Sequence, residues 1–177
     1  FFHMNKLLNQ IKSKEFILYN NILSLSRNKL FYTKFSLADT FQNRINLIFF
    51  HISFIFIKVN QNNEKKIYKS FYQNLFDMVF NQIELNMREL TYGDVLVNKN
   101  MKFHVKSFYN ILLFCEDYLK KTKELKSSFF EQHLEYITNR KVANNDNLIN
   151  YFHDFQTFCF DLSSDSVLEG ELKFNYK

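Results

Sequence analysis

Apolar residues return every three or four positions along most of the chain, the spacing that places them on one side of an α-helix. The pattern is clearest where Met101, Val105, Phe108, Leu112, Cys115 and Leu119 recur at 4-3-4-3-4 intervals, with Lys99, Lys102, Lys106, Glu116 and Lys120 away from that stripe. It predicts a helix packed within a bundle. Upstream, Ser13 is placed to cap a helix with the stripe Phe16, Tyr19 and Leu23, Ile22 beside it, reaching about Arg27. Asp39 or Thr40 caps a second, which runs through Arg44 and the apolar segment INLIFFHISFIFIKV to about Asn60. After the polar break at 60–63, a third spans about Glu64 to Leu90 on the stripe Tyr72, Phe76, Val79, Ile83 and Leu90, with Glu84 and Arg88 as a favourable i,i+4 pair. Thr91-Tyr92-Gly93-Asp94 ends it, with Gly93 expected at a left-handed C′ position.

A fifth helix is predicted from Ser127 or Ser128 to about Asn139, a polar linker over 141–147, and a sixth helix over Asn147 to Phe160. Residues 168–177 read as a short extended tail. The expected fold is therefore all-α, a single-domain bundle of about six helices. Residues 1–12 read as an N-terminal overhang or flexible segment and 13–177 as the domain; a natural start at Met4 is expected, with no long targeting segment before the helical pattern.

Composition sharpens this. The chain has 177 residues with 23 Phe and 10 Tyr, but two Gly and no Pro or Trp. So few glycines make a multi-hairpin β-sandwich improbable and exclude both the G-x-G-x-x-G and G-x-x-x-x-G-K phosphate loops. The net charge of +5 comes largely from scattered Lys, and the bias toward Phe, Ile, Asn, Lys and Tyr reflects AT-rich coding as much as any partner. The apolar segment from Ile45 to Val59 holds Asn46, His51 and Ser53 and falls short of the ~20 apolar residues a spanning helix needs, so a core helix is expected.

Catalytic and metal chemistry find little footing. The five histidines (His3, His51, His104, His133, His153) show no H-x-x-x-H or H-E-x-x-H spacing, and no G-x-S-x-G elbow occurs. No cofactor or metal is expected. His51 reads as a hydrogen-bonded core residue, and Cys115 and Cys159 as small buried thiols in a reducing compartment. Asp161 and Asp165 read as a solvated face or helix end rather than a paired-carboxylate site. Three polar features stand out. Asp77 sits among Leu75, Phe76, Met78, Val79 and Phe80, where a charge requires a partner. Antiparallel packing makes Arg44 its first candidate in a buried pair; the alternative is a position on a groove rim. Arg88, Glu89, Gly93 and Asp94 are grouped to fasten the corner between the third and fourth helices. Asp39, Thr40 and Arg44 lie one turn apart at the start of the second.

In this order the pieces resemble the ubiquinol–cytochrome c chaperone family. They are FILYNNILSLSRNKLFYTKFSLADT, then DTFQNRINLIFFH with Asp39, Thr40, Arg44 and His51, and LFDMVFNQIELNMRELTYGD with Phe76, Asp77, Arg88, Glu89, Gly93 and Asp94. NKNMKFHVKSFYN follows, with Met101, Lys102, Phe108 and Tyr109, and the tail has Gly170, Leu172 and Phe174 in a G-x-L-x-F arrangement. The resemblance covers about residues 15–174. The chain departs from the family at Asn43, where the D-T-x-x-G-R motif has Gly, at Tyr92, and at Asn110-Ile111. It implies a non-enzymatic assembly chaperone that holds newly made cytochrome b during biogenesis of the ubiquinol–cytochrome c reductase. It also implies a small co-chaperone and the ribosome as partners, with peripheral membrane contact. No specific DNA binding is expected. The implied location is the bacterial cytoplasm at the inner membrane, or the mitochondrial matrix if the chain is a trimmed mature form. Two other classes stay open from the residues alone: a ribosome- or RNA-binding helical module, and an enzyme with a noncontiguous site.

Overall fold

A computed structural model describes residues 13–61, 66–90, 92–137 and 145–176. The predicted overhang at 1–12, half of the polar break at 60–63, Thr91, the end of the predicted fifth helix and most of the predicted linker lie outside the described residues. The helices are α1 (Lys14–Ser26), α2 (Leu30–Thr33), α3 (Phe41–Asn60), α4 (Lys66–Glu89) and α5 (Asp94–Cys115). A 3-10 turn (Tyr118–Lys120), α6 (Lys123–His133), α7 (Asp146–Asp161) and α8 (Ser164–Leu168) follow. Among the described residues, extended pairing is limited to a single antiparallel bridge between Leu37 and Tyr136.

Helix α3 is the axis of the fold. It packs against α1, α4, α5, α7 and α8, and its residues 45–56 are all buried. That explains a segment apolar on every side: neighbours surround it, so no face has to be polar. No described helix is long and apolar enough to cross a membrane. Helix α4 runs antiparallel to α3, since Phe56 stacks near Tyr72 (3.9 Å between centroids) while Phe49 meets Phe80 farther along (5.5 Å).

Local signals set the helix starts. Ser13 Oγ accepts from Phe16 N at 3.2 Å and Thr40 Oγ1 accepts from Asn43 N at 3.2 Å, which satisfies orphan donors of the first turns of α1 and α3. Helix α6 begins earlier than its predicted Ser127 or Ser128 start, because Thr122 supplies the cap, accepting from Leu125 N. The short helices α2 and α8 and the 3-10 turn have no counterpart in the predicted elements.

The buried faces are rotated from the predicted stripes. In α4 the buried residues are Tyr68, Phe71, Leu75, Val79, Phe80, Ile83 and Met87; Val79 and Ile83 belong to the expected stripe, Tyr72 and Phe76 are half-buried, and Leu90 lies exposed beyond the helix end. In α5 it is Val97, His104, Phe108, Ile111 and Cys115; Met101, Val105 and Leu112 are half-buried and Leu119 is exposed. Gly93 is also not left-handed. Its φ of −69° and ψ of 156° are extended, and it stands at the N-cap of α5, a role in which glycine is well tolerated. The left-handed glycine is Gly170, at φ +80°, where a Cβ would meet the Lys14 carbonyl oxygen at 2.9 Å. Gly170 lets the tail turn back, burying Leu172 and placing the Phe174 ring 5.2 Å from Phe155.

Candidate functional site: an apolar groove with a charged rim

The start of α3 and the end of α4 meet because the two helices are antiparallel. At the first, Arg44 grips Asp39 with Nε to Oδ1 at 2.7 Å and Nη2 to Oδ2 at 2.9 Å. Those hydrogen bonds from the guanidinium hold the Asp39 carboxyl below the usual carboxylate range. At the second, Arg88 donates to Glu84 Oε1 through Nε (3.0 Å) and Nη2 (2.9 Å) and to Asp94 Oδ1 through Nη1 (2.5 Å). Arg88 therefore ties the last turn of α4 to the first turn of α5. The predicted corner is real, although Glu89 takes no part in that clasp and instead lines the neighbouring groove.

That groove lies between α1, α3 and α4. Tyr19, Leu23, Phe41, Ile45, Ile48, Ile83 and Leu90 supply its apolar lining, and Ser26, Arg27, Arg44, Asn86 and Glu89 complete it, around a volume of about 250 Å³. It brings together two sequence-predicted residues, Arg44 and Glu89, that are 45 positions apart. Asp39 joins them through Arg44.

A second group of predicted residues meets elsewhere. Phe76 lies 5.5 Å from Phe108 and 6.3 Å from Tyr109 between ring centroids, joining α4 to α5, with Phe80 4.5 Å from Phe76. Phe108 is buried and Tyr109 exposed. Met101 and Lys102 stand two helical turns before these rings and join neither group.

Asp77 is not in a buried ion pair with Arg44. It is exposed, Gln73 Nε2 donates to its Oδ1 at 2.8 Å, and Arg44 is committed to Asp39. The reason is rotational: Asp77 lies about 200° around the helix from both Leu75 and Val79, so apolar neighbours in sequence are not its neighbours in space.

Two structural residues escaped the sequence reading or were read only in part. Asn43 is fully buried; its Nδ2 donates to the Ala38 and Glu135 carbonyls, both at 2.7 Å, and its Oδ1 accepts from Glu135 N at 2.8 Å. The departure from Gly at this position was the available signal. His51 is the hydrogen-bonded core histidine expected, with Nδ1 2.6 Å from the Leu47 carbonyl and Nε2 2.7 Å from the Tyr151 hydroxyl. Cys115 and Cys159 are buried free thiols, as expected. Among the described residues, no group of three or more His, Cys, Asp or Glu side chains is placed to hold a metal ion.

The helices, with a single bridge as the extended pairing among the described residues, make this an all-α domain. The chain is a member of the ubiquinol–cytochrome c chaperone family, whose model matches residues 33–174. Helix α1 lies before that match. Among solved structures, the fold is similar to that of the Cbp3 homologue from Brucella abortus, at 17% identity and a TM-score of 0.77, covering 98% of this chain and 94% of that one. Comparison with curated proteins gave no match.

Proposed function

We propose that this chaperone acts by binding newly made cytochrome b, and that the groove between α1, α3 and α4 receives an apolar helical segment of that client. The observation that carries the reading is the convergence of Arg44 and Glu89 on one apolar groove. A lining of aliphatic and aromatic side chains matches an apolar helix, and charges of both signs at the edge suit the polar ends of such a segment. The chain contributes binding rather than catalysis in this reading. A small co-chaperone and the ribosome are further partners, and the site of action is the membrane face on which cytochrome b is made, bacterial or mitochondrial.

The test is capture of cytochrome b by the tagged chain in a co-expressing host. Leu90→Lys and Glu89→Lys both change exposed groove residues, so each should keep the melting temperature within about 2 °C while reducing capture severalfold. Undiminished capture by both variants overturns the groove assignment.

A further inference from the structure

A second cavity, of about 480 Å³, opens between the first turns of α3, the middle of α5 and the end of α6, and it shares no lining residue with the groove. Phe103, Lys106, Ser107 and Asn110 recur at i, i+3, i+4 and i+7 and form its α5 wall. On α3, Gln42 and Asn46 line it one turn apart. Gln42 Nε2 donates to Asn46 Oδ1 at 3.1 Å, and Asn46 Nδ2 donates to the His133 carbonyl at 2.5 Å. The third side is rich in acceptors, with Glu131 and His133 on α6 and Glu135 just beyond its end. The His133 ring stacks on Phe129, with centroids 4.0 Å apart. Its Nδ1, 3.0 Å from the Phe129 carbonyl, carries the proton, so Nε2 presents a lone pair. Ser107 is 7% exposed, yet its hydroxyl has no hydrogen-bond partner among the described residues. The Lys106 ammonium and the Glu135 carboxylate are likewise unpaired there.

We propose that this cavity binds a free basic amino acid, through its cationic side chain and its carboxylate. Its size falls within the roughly 300–1,000 Å³ of small-molecule sites, and its mainly polar lining calls for a charged ligand. The charges are separated by element. Two carboxylates and an imidazole lone pair stand at the α6 end, and one ammonium stands on α5. A ligand that spans the cavity therefore carries N–H donors at one end and a carboxylate at the other. A guanidinium supplies several donors at once to Glu131, His133 and Glu135. Lys106 and the Ser107 hydroxyl donate to the ligand carboxylate, and Phe103, 57% exposed, offers an aromatic face to the cation and its stem. Two carboxylates against one ammonium leave the walls with a net negative charge, which the α-ammonium of a basic amino acid balances. A lone anion such as phosphate is disfavoured by the same balance.

Isothermal titration calorimetry of the full chain with L-arginine tests this, and a 1:1 complex with Kd below about 1 mM is expected. L-Citrulline, which lacks the side-chain charge, and agmatine, which lacks the carboxylate, should each bind about tenfold or more weakly, the usual loss for one charge-assisted hydrogen bond. Nα-acetyl-L-arginine, without the α-ammonium, should also bind more weakly. If it matches L-arginine, the ligand is the C-terminal basic residue of a peptide and the free amino acid is overturned. Lys106→Gln and Glu135→Gln should each weaken L-arginine binding about tenfold, while Lys99→Gln and Glu124→Gln, the same charge changes outside the cavity, should leave it within about twofold. All four side chains are exposed, so melting temperatures without ligand should stay within about 2 °C of wild type, which separates lost binding from lost folding. The absence of binding heat with L-arginine up to about 20 mM overturns the proposal. Equal binding of citrulline or agmatine does so too, as does binding that neither cavity variant weakens relative to its control. Because cavity and groove have no residue in common, failure here leaves the groove reading standing, and the reverse.

Discussion

The Nε2 of His51 lies 2.7 Å from the Tyr151 hydroxyl, a hydrogen bond that joins α3 to α7 in the middle of the core. The Leu47 carbonyl, 2.6 Å from Nδ1, can only accept, so Nδ1 carries the proton and Nε2 accepts from Tyr151. Both ring nitrogens are thereby satisfied by a neutral imidazole. Burial pushes the His51 pKa from 6.5 down to about 4.

A pH dependence results. The unfolded chain protonates His51 near pH 6.5 and the folded chain does so only near pH 4. Its contribution is thus intact above about 6.5 and is lost as pH falls toward 4. The gap of about 2.5 pH units corresponds to about 3 kcal/mol. Thermal melts between pH 7 and 4 should show falling stability, with a shallower slope in His51→Gln once each variant is referred to its own value at pH 7.

Asn43 should be among the most sensitive polar positions. Asn43→Ala leaves the Glu135 amide without its acceptor and takes one of two donors from each of the Ala38 and Glu135 carbonyls, which keep the amides of Thr40 and Ala38. With one unsatisfied amide and two lost hydrogen bonds, a loss of about 1–3 kcal/mol is expected in chemical denaturation. Asn43→Gly, which restores the family's usual residue, should be at least as damaging, because glycine also weakens the first turn of α3.

Asp77→Ala should leave the melting temperature within about 2 °C of wild type, since an exposed carboxylate bonded only by Gln73 strands nothing when removed. A fall of several degrees would show that this side chain is held more tightly than its exposure indicates.

The two thiols should be silent in the folded protein. Burial pushes both Cys115 and Cys159 upward, away from the reactive thiolate. A thiol-reactive chromophore should label neither at pH 8 in native buffer and both after unfolding in guanidinium.

Helical periodicity, capping chemistry and residue type are local, so the sequence alone determined the all-α class, the spans of α1, α3, α4 and α7 within a few residues, the existence of α5, the caps at Ser13 and Thr40, and the core character of His51 and the cysteines. The ordered motifs also determined the family. Only tertiary packing decided how each helix is rotated about its axis. Neighbours set that rotation, and where apolar residues exceed the buried positions, as on α4 and α5 with Leu85, Phe103 and Leu113 exposed, several stripes satisfy the same spacing. The burial of Phe71 and Leu75 in place of Tyr72 and Phe76 follows from this, as does the outward turn of Asp77. Contacts across long separations were equally invisible: Asn43 with Glu135, His51 with Tyr151, and the groove that brings Arg44 beside Glu89. Each depends on where two distant segments lie in space, which chain-local energetics do not encode one segment at a time.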